Sequence, residues 1–274
     1  MRRALAAGFS YLFCCQLLTA CASAEPTLNL AQLNQELHAL TNQTRVEIGL
    51  QPLRKLEELE TLSQTHSQDM AARDFFDHQN PDDGSPFDRL QRDHGHLLSV
   101  SSGENIAMQS LHGLDEKALA AELMTLWRNS PDHYTHLVEP TFWHLGIATA
   151  LGETQGEQVI YATQSFGFVL VRRLSPLPDS IATGERLTLR FDYLGPFPAT
   201  ELSVLFYAPD PEARIPRPAG GAYIGKAPLA LIWEEPGKRF SLSLPANYGP
   251  GTYQLRFGRG EQIYDVPLRW EVRD

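Results

Sequence analysis

Imidazole chemistry in this chain must come from its first half, because all nine histidines precede residue 145. Three positions combine a reactive side chain with a distinctive setting. His66 continues the apolar stripe Leu59, Leu62, His66, Met70. Glu104 sits inside Gly103-Glu104-Asn105, and His133 follows Ser130-Pro131-Asp132. Two neutral imidazoles brought close together can bind Zn2+ or another divalent cation, with water filling the remaining positions. A carboxylate can orient one ring by accepting its second N–H, or hold a metal-bound water, which makes Glu104 the candidate base. His66 and His133 without a third protein ligand would form a weak, exchangeable site, short of the three-ligand norm for catalytic zinc. The same residues also have plain structural uses. A histidine on an apolar stripe is commonly buried and hydrogen-bonded, a glutamate in a tight loop can accept backbone N–H groups, and His133 could cap the turn after Pro131.

Other chemistries find no support. The chain has no Gly-x-Ser-x-Gly elbow, no His-Glu-x-x-His helix and no phosphate-binding glycine loop. Its three cysteines, Cys14, Cys15 and Cys21, all precede residue 22, so the rest of the chain holds no thiol nucleophile and no disulfide. A net charge of −10, with no basic run longer than a pair such as Arg172-Arg173, argues against nucleic acid as a partner.

These side chains must be positioned by a folded body, and 274 residues with 42 % hydrophobic and 20 % charged residues suffice for two domains. Residues 1–24 read as a leader. Arg2-Arg3 precede an apolar run, and Leu18-Thr19-Ala20-Cys21 looks like a bacterial lipobox. The expectation is export to the cell envelope with a membrane anchor through lipid on Cys21. The alternative is ordinary cleavage at Ala22-Ser23-Ala24, giving a secreted or periplasmic protein. Helical spacing follows in Leu30, Leu33, Leu37 and Leu40, then from Glu57 to about Phe75, then after Asp115 as an N-cap. Asn129-Ser130-Pro131 breaks that third helix, and Ser130 is placed to cap a short turn carrying His133. Leu145–Leu151 and Val159–Val171 read as strands. The expected domain therefore covers residues 27–171 and is α+β.

A basic, proline-containing linker is expected at 172–178. Residues 179–274 read as an all-β, immunoglobulin-like sandwich. Candidate strands are Leu187–Tyr193, Leu202–Tyr207, Leu229–Trp233, Phe240–Leu244, Tyr253–Phe257 and Tyr264–Val272, separated by glycine and proline turns.

Seven short motifs recur in order along the first half. They are Asn42-x-x-Arg45, Gly49-Leu50-x-Pro52-Leu53, His66 with Asp69-Met70-Ala71, and Phe76-x-His78 with Pro81-Asp82-Asp83-Gly84. Gly103-Glu104-Asn105-Ile106-Ala107 follows, then Trp127 with Ser130-Pro131-Asp132-His133, and last Thr163-Gln164-Ser165-Phe166-Gly167. Each is weak alone, but in this order they resemble bacterial members of the CAP family, the cysteine-rich secretory and pathogenesis-related proteins. The resemblance implies a three-layer α-β-α sandwich with a cleft formed by two histidines and two glutamates. By motif, His66, Glu104 and His133 fill three of those places. Position 130 is serine where the second glutamate would stand, and Glu122 would lie on the other side of the Trp127 turn. The resulting expectation is a non-enzymatic envelope protein that binds a small or lipidic ligand or an envelope partner, with a weak divalent-metal site in the cleft. The alternative is a metal-assisted hydrolase acting on envelope peptide or polysaccharide.

Overall fold

The computed structural model describes residues 28–82 and 84–274. The expected leader and Cys21 therefore lie outside the described residues. The N-terminal half contains α1 (Leu30–Glu47), β1 (Arg54–Lys55), α2 (Glu57–Arg73), α3 (Pro86–His94) and β2 (Leu97–Ser110). It continues with α4 (Glu116–Asn129), α5 (Pro131–Leu137), β3 (His144–Thr154) and β4 (Glu157–Arg173). No helix among the described residues is long and apolar enough to cross a membrane.

The sheet is centred on β4, which pairs antiparallel with β3 on one edge and with β2 on the other. One face carries α1, α4 and α5 over Leu33, Leu37, Leu119, Leu123, Trp127 and Phe166. The other face carries α2. This helix lies close because its sheet-facing side is small: Ser63 Oγ donates to Gly146 O (3.1 Å) and Ser165 Oγ (2.8 Å). One turn on, Ser67 Oγ donates to Ala148 O (3.0 Å) and Thr163 Oγ1 (2.8 Å). The three-layer α-β-α sandwich is thus present.

Two motif residues act as struts. Arg45 is buried and donates to four carbonyls, those of Gln51 (3.0 Å), Leu137 (2.9 Å), Glu139 (3.0 Å) and Phe142 (3.4 Å). It thereby ties the end of α1 to the end of α5, where helical carbonyls lack partners of their own. Asn42 exchanges side-chain hydrogen bonds with both the N–H and the C=O of Leu53.

The C-terminal half comprises β5 (Ser180–Ala182), β6 (Arg186–Tyr193), β7 (Leu202–Tyr207), β8 (Arg214–Pro216), β9 (Ala222–Ile224) and β10 (Lys226–Pro228). After these come β11 (Ile232–Glu235), β12 (Arg239–Pro245), β13 (Gly251–Arg259), β14 (Gln262–Ile263) and β15 (Leu268–Arg273). Strands β6, β12 and β11 face the sheet β10-β7-β13-β15-β5 across a core of Leu189, Phe191, Phe240, Val204, Phe206, Leu255, Phe257 and Trp270. Buried Tyr253 closes a corner, its hydroxyl donating to Gly249 O (2.9 Å) and accepting from Tyr248 N–H (2.9 Å). This is an immunoglobulin-like sandwich.

The segment expected as a linker at 172–178 begins inside a strand. Arg172 and Arg173 are the last residues of β4, and β4 passes from the β3 edge to the β6 edge, with Val171, Arg172 and Arg173 opposite Tyr193, Asp192 and Phe191. The first half's sheet therefore continues into the sandwich. A charge pair crosses the joint: Arg172, which makes a fork to Glu58 of α2 (2.5 and 2.8 Å), also lies 3.8 Å from Asp192 of β6.

Other expectations are corrected. Leu229–Trp233 is not one strand: Leu229 N–H still bonds Val204 O at 2.9 Å, whereas Ile232 and Trp233 pair with β12 in the opposite sheet. Residues 264–267 precede the last strand, where Pro267 offers no N–H to a ladder. Ser130 starts α5 by position but its side chain makes no cap bond, whereas Asp115 caps α4 as expected, accepting from Ala118 N–H at 2.8 Å.

The first residue of β3, His144, is 3 % exposed, with Nδ1 unpartnered. Burial, and then the Arg54 cation, hold its imidazole down to about 4. The folded value lies below the unfolded 6.5, so this contribution to stability is complete above about pH 6.5 and is lost as pH falls toward 4. The loss should reach about 3 kcal/mol. Denaturant unfolding at pH 7 and pH 4.5 should show it, with a shallower pH dependence in His144→Asn. Equal slopes in both proteins would refute the assignment.

Candidate functional site

Glu104 lies on β2, opposite Ser165 of β4, and not in the tight loop expected for it. Its side chain is 4 % exposed at residue level, and both carboxylate oxygens are engaged. Arg89 Nη2 donates to Oε2 at 2.6 Å, and this guanidinium is itself buried. His78 Nδ1 donates to Oε1 at 2.9 Å. Arg89 also donates to the carbonyls of His78 (2.6 Å) and Gly84 (3.3 Å), so one arginine holds these two residues and the carboxylate together. Arg89 is delivered by α3, a short helix started by a reciprocal cap in which Ser85 and Asp88 bond each other's backbone N–H.

His66 also approaches Glu104, with Nε2 3.7 Å from Oε1. Its ring is buried, and Nε2 donates to the carbonyl of Asp77 at 3.1 Å. Burial holds its imidazole below the usual range. His66 thus supports the loop carrying His78 from behind. His78 is the histidine that is both bonded to Glu104 and half-exposed. With Nδ1 donating to the carboxylate, the lone pair of its neutral ring lies on Nε2. The ring of His133, the third residue of α5, lies 6.4 Å from that of His78 by centroid. The structure therefore joins His66 and His78 to Glu104, and His133 to His78.

A buried amide network positions α5. Asn105 Nδ2 donates to His133 O (3.0 Å) and Gln164 Oε1 (3.1 Å), and Gln164 Nε2 donates to Thr41 Oγ1 (2.7 Å). Asn105 Oδ1 accepts from His136 Nδ1 at 2.9 Å. Gly103 admits His136 closely, since a Cβ there would come within 2.9 Å of both His136 and Phe142. Trp127 Nε1 donates to Ile106 O at 3.0 Å, tying α4 to the same strand. Burial lowers the imidazole pKa of both His133 and His136, and for His133 the neighbouring His78 and His136 add to that.

Glu122 does not supply the missing carboxylate, because its Oε2 accepts from Gln109 at 2.8 Å. Among the described residues no group of three or more His, Cys, Asp or Glu could hold a metal ion. Two imidazoles beside a carboxylate already engaged on both oxygens do not fit a catalytic zinc, which takes three protein ligands. Sequence reasoning missed His78, His136 and Arg89. His78 was legible in Phe76-x-His78, and Arg89 in the capping pattern Ser85-Pro86-x-Asp88.

The α-β-α sandwich, with its glutamate and histidines at one end of the sheet, is the architecture of a CAP domain. Residues 38–166 match the family model described as CAP, cysteine-rich secretory protein family. The uncharacterized protein YkwD of Bacillus subtilis (strain 168) is 36 % identical over 108 residues, covering 39 % of this chain and 38 % of that one. The uncharacterized membrane protein YlbC of the same organism is 32 % identical over 127 residues, 46 % of this chain and 32 % of that one. These matches thus span about a third of each relative's length. Among solved structures, an extracellular protein containing a SCP domain from Bacillus anthracis str. Ames is 30 % identical, with a TM-score of 0.38, covering 50 % of this chain and 40 % of that one.

Proposed function

We propose that this is an exported envelope protein whose CAP domain binds a small ligand or an envelope partner at the His78–His133 cleft without chemical turnover. One observation carries the reading. Glu104 is neutralised by buried Arg89 and bonded by His78 on its other oxygen, an arrangement that suits it to orienting an imidazole rather than to taking a proton as a general base. Any divalent cation in the cleft would be held by His78 and His133 alone, in rapid exchange. The lipobox at Cys21 supports a membrane anchor, which incorporation of a palmitate analogue, lost in Cys21→Ser, would test.

The decisive experiment combines metal analysis, Zn2+ titration followed by imidazole NMR, and hydrolysis assays on peptide and polysaccharide substrates. The expected result is no stoichiometric zinc and no turnover. Added Zn2+ should shift the His78 and His133 signals in fast exchange, and His78→Ala/His133→Ala should abolish the response. Tightly bound zinc accompanied by hydrolysis, both lost in that double variant, would establish the metal-assisted hydrolase instead.

A further inference from the structure

The outer edge of β3 is paired only at its start. Arg54 and Lys55 of β1 lie parallel to His144 and Leu145, and the carbonyl of Leu145 accepts from Leu56 N–H at 3.2 Å. The chain then turns away into α2, and among the described residues no strand takes its place along the rest of that edge. Backbone groups in a strand alternate sides with a period of two. The direction of the Leu145 carbonyl therefore repeats at Ile147, Thr149 and Leu151, whose N–H and C=O groups point away from β4. This edge floors a groove of about 600 Å³ lined by residues 147–151, with Asn34 and Gln35 of α1 on one wall and Gln64 and Gln68 of α2 on the other. Lys55 and Glu60 also line it and pair with each other at 3.7 Å, which leaves the groove without a net charge.

We infer that this groove takes an extended, uncharged peptide segment of a partner protein, added as a strand in the row that β1 begins. A row of unpaired backbone donors and acceptors is matched in spacing by another polypeptide backbone. Asn34 Oδ1 already accepts from Thr149 Oγ1 at 2.8 Å, but the amides of Gln35 on one wall and of Gln64 and Gln68 on the other can each donate and accept, so they suit the outward-facing groups of the same peptide. Five residues of floor span about 16 Å, the length of a short strand. A second copy of this chain does not fit, because its own edge is equally sunk between α1 and α2: Ile147, Ala148, Thr149 and Ala150 are only 3–7 % exposed. The inference is independent of the histidine cleft, which shares no residue with the groove.

The test uses the full chain and a blocked hexapeptide of alternating threonine and valine, in three forms: unmodified, N-methylated at odd positions and N-methylated at even positions. One methylated form should bind as the parent does, and the other should bind at least roughly tenfold more weakly, since it loses the donors that face β3. Hydrogen exchange at the amides of Ile147, Thr149 and Leu151 should slow only with the forms that bind. Absence of binding, equal affinity of the two methylated forms, or protection confined to other residues would overturn the inference. So would protection of these three amides by a chitin-type oligosaccharide but not by the peptide.

Discussion

Gly146→Ala should leave the N-terminal domain unable to hold its native packing. A Cβ at this position would lie 2.0 Å from Leu59 C, 2.1 Å from Glu60 N and 2.3 Å from Leu59 O. All three are backbone atoms in the first turn of α2, so no side chain can rotate out of the way. Relief requires the helix to lift from the sheet. That would break the hydrogen bonds from Ser63 to Gly146 and Ser165, and would open the small core of Leu56, Leu59, Leu62 and Val169. The expected loss exceeds about 3 kcal/mol, beyond ordinary overpacking because the obstruction is backbone. Gly167→Ala is the control: its nearest contacts are at 3.4 Å and all belong to side chains. Thermal melting of both variants decides the matter, and a Gly146→Ala protein melting within a degree or two of wild type would show that α2 does not sit so close.

Arg89→Met should destabilise the protein by about 3–5 kcal/mol, because it strands the Glu104 carboxylate in a buried site. The same change releases the carbonyls of His78 and Gly84. Glu104→Leu added to it removes the stranded charge, so the double variant should be more stable than Arg89→Met alone. A double-mutant cycle by denaturant unfolding measures this coupling directly. Additive losses would mean that Arg89 and Glu104 act independently. Histidine NMR supplies a second reading, as His78 should lose its fixed tautomer when Glu104 is removed.

The long helices were legible because their burial follows a simple period: Leu33 and Leu37 in α1, and Leu59, Leu62 and Met70 in α2. The strands around Phe191 and Phe240 were legible because each has one wet face and one dry face. β2 was not, because its most deeply buried stretch begins with Glu104-Asn105, two polar residues that carry no strand signal and are satisfied only across the sheet. α3 was hidden for a related reason: among its buried residues are Arg89 and His94, so its inner face reads as polar. In the cleft, motif order led to Glu104 and His133. It led to His66 in place of His78 because the two histidines are 12 positions apart on neighbouring motifs, and only the 77–84 loop reveals which one emerges beside the carboxylate. The run Leu229–Trp233 misled because one apolar stretch serves two opposing sheets.

β4 has one end in each half of the molecule. Ser165 stands opposite Glu104, and six residues further on Val171 stands between β2 and Tyr193 of the sandwich. That interval of about 20 Å lies within one continuous strand, although its ladder to β2 is irregular around Ser99. Leu98, Phe168, Leu170 and Val171 belong to the sandwich's core, although they come from β2 and β4. The C-terminal module is therefore less a second body on a tether than a handle forged onto the cleft. Whatever grips it also aims His78 and His133, and a cut made between the halves would leave the cleft-bearing piece with a raw apolar edge.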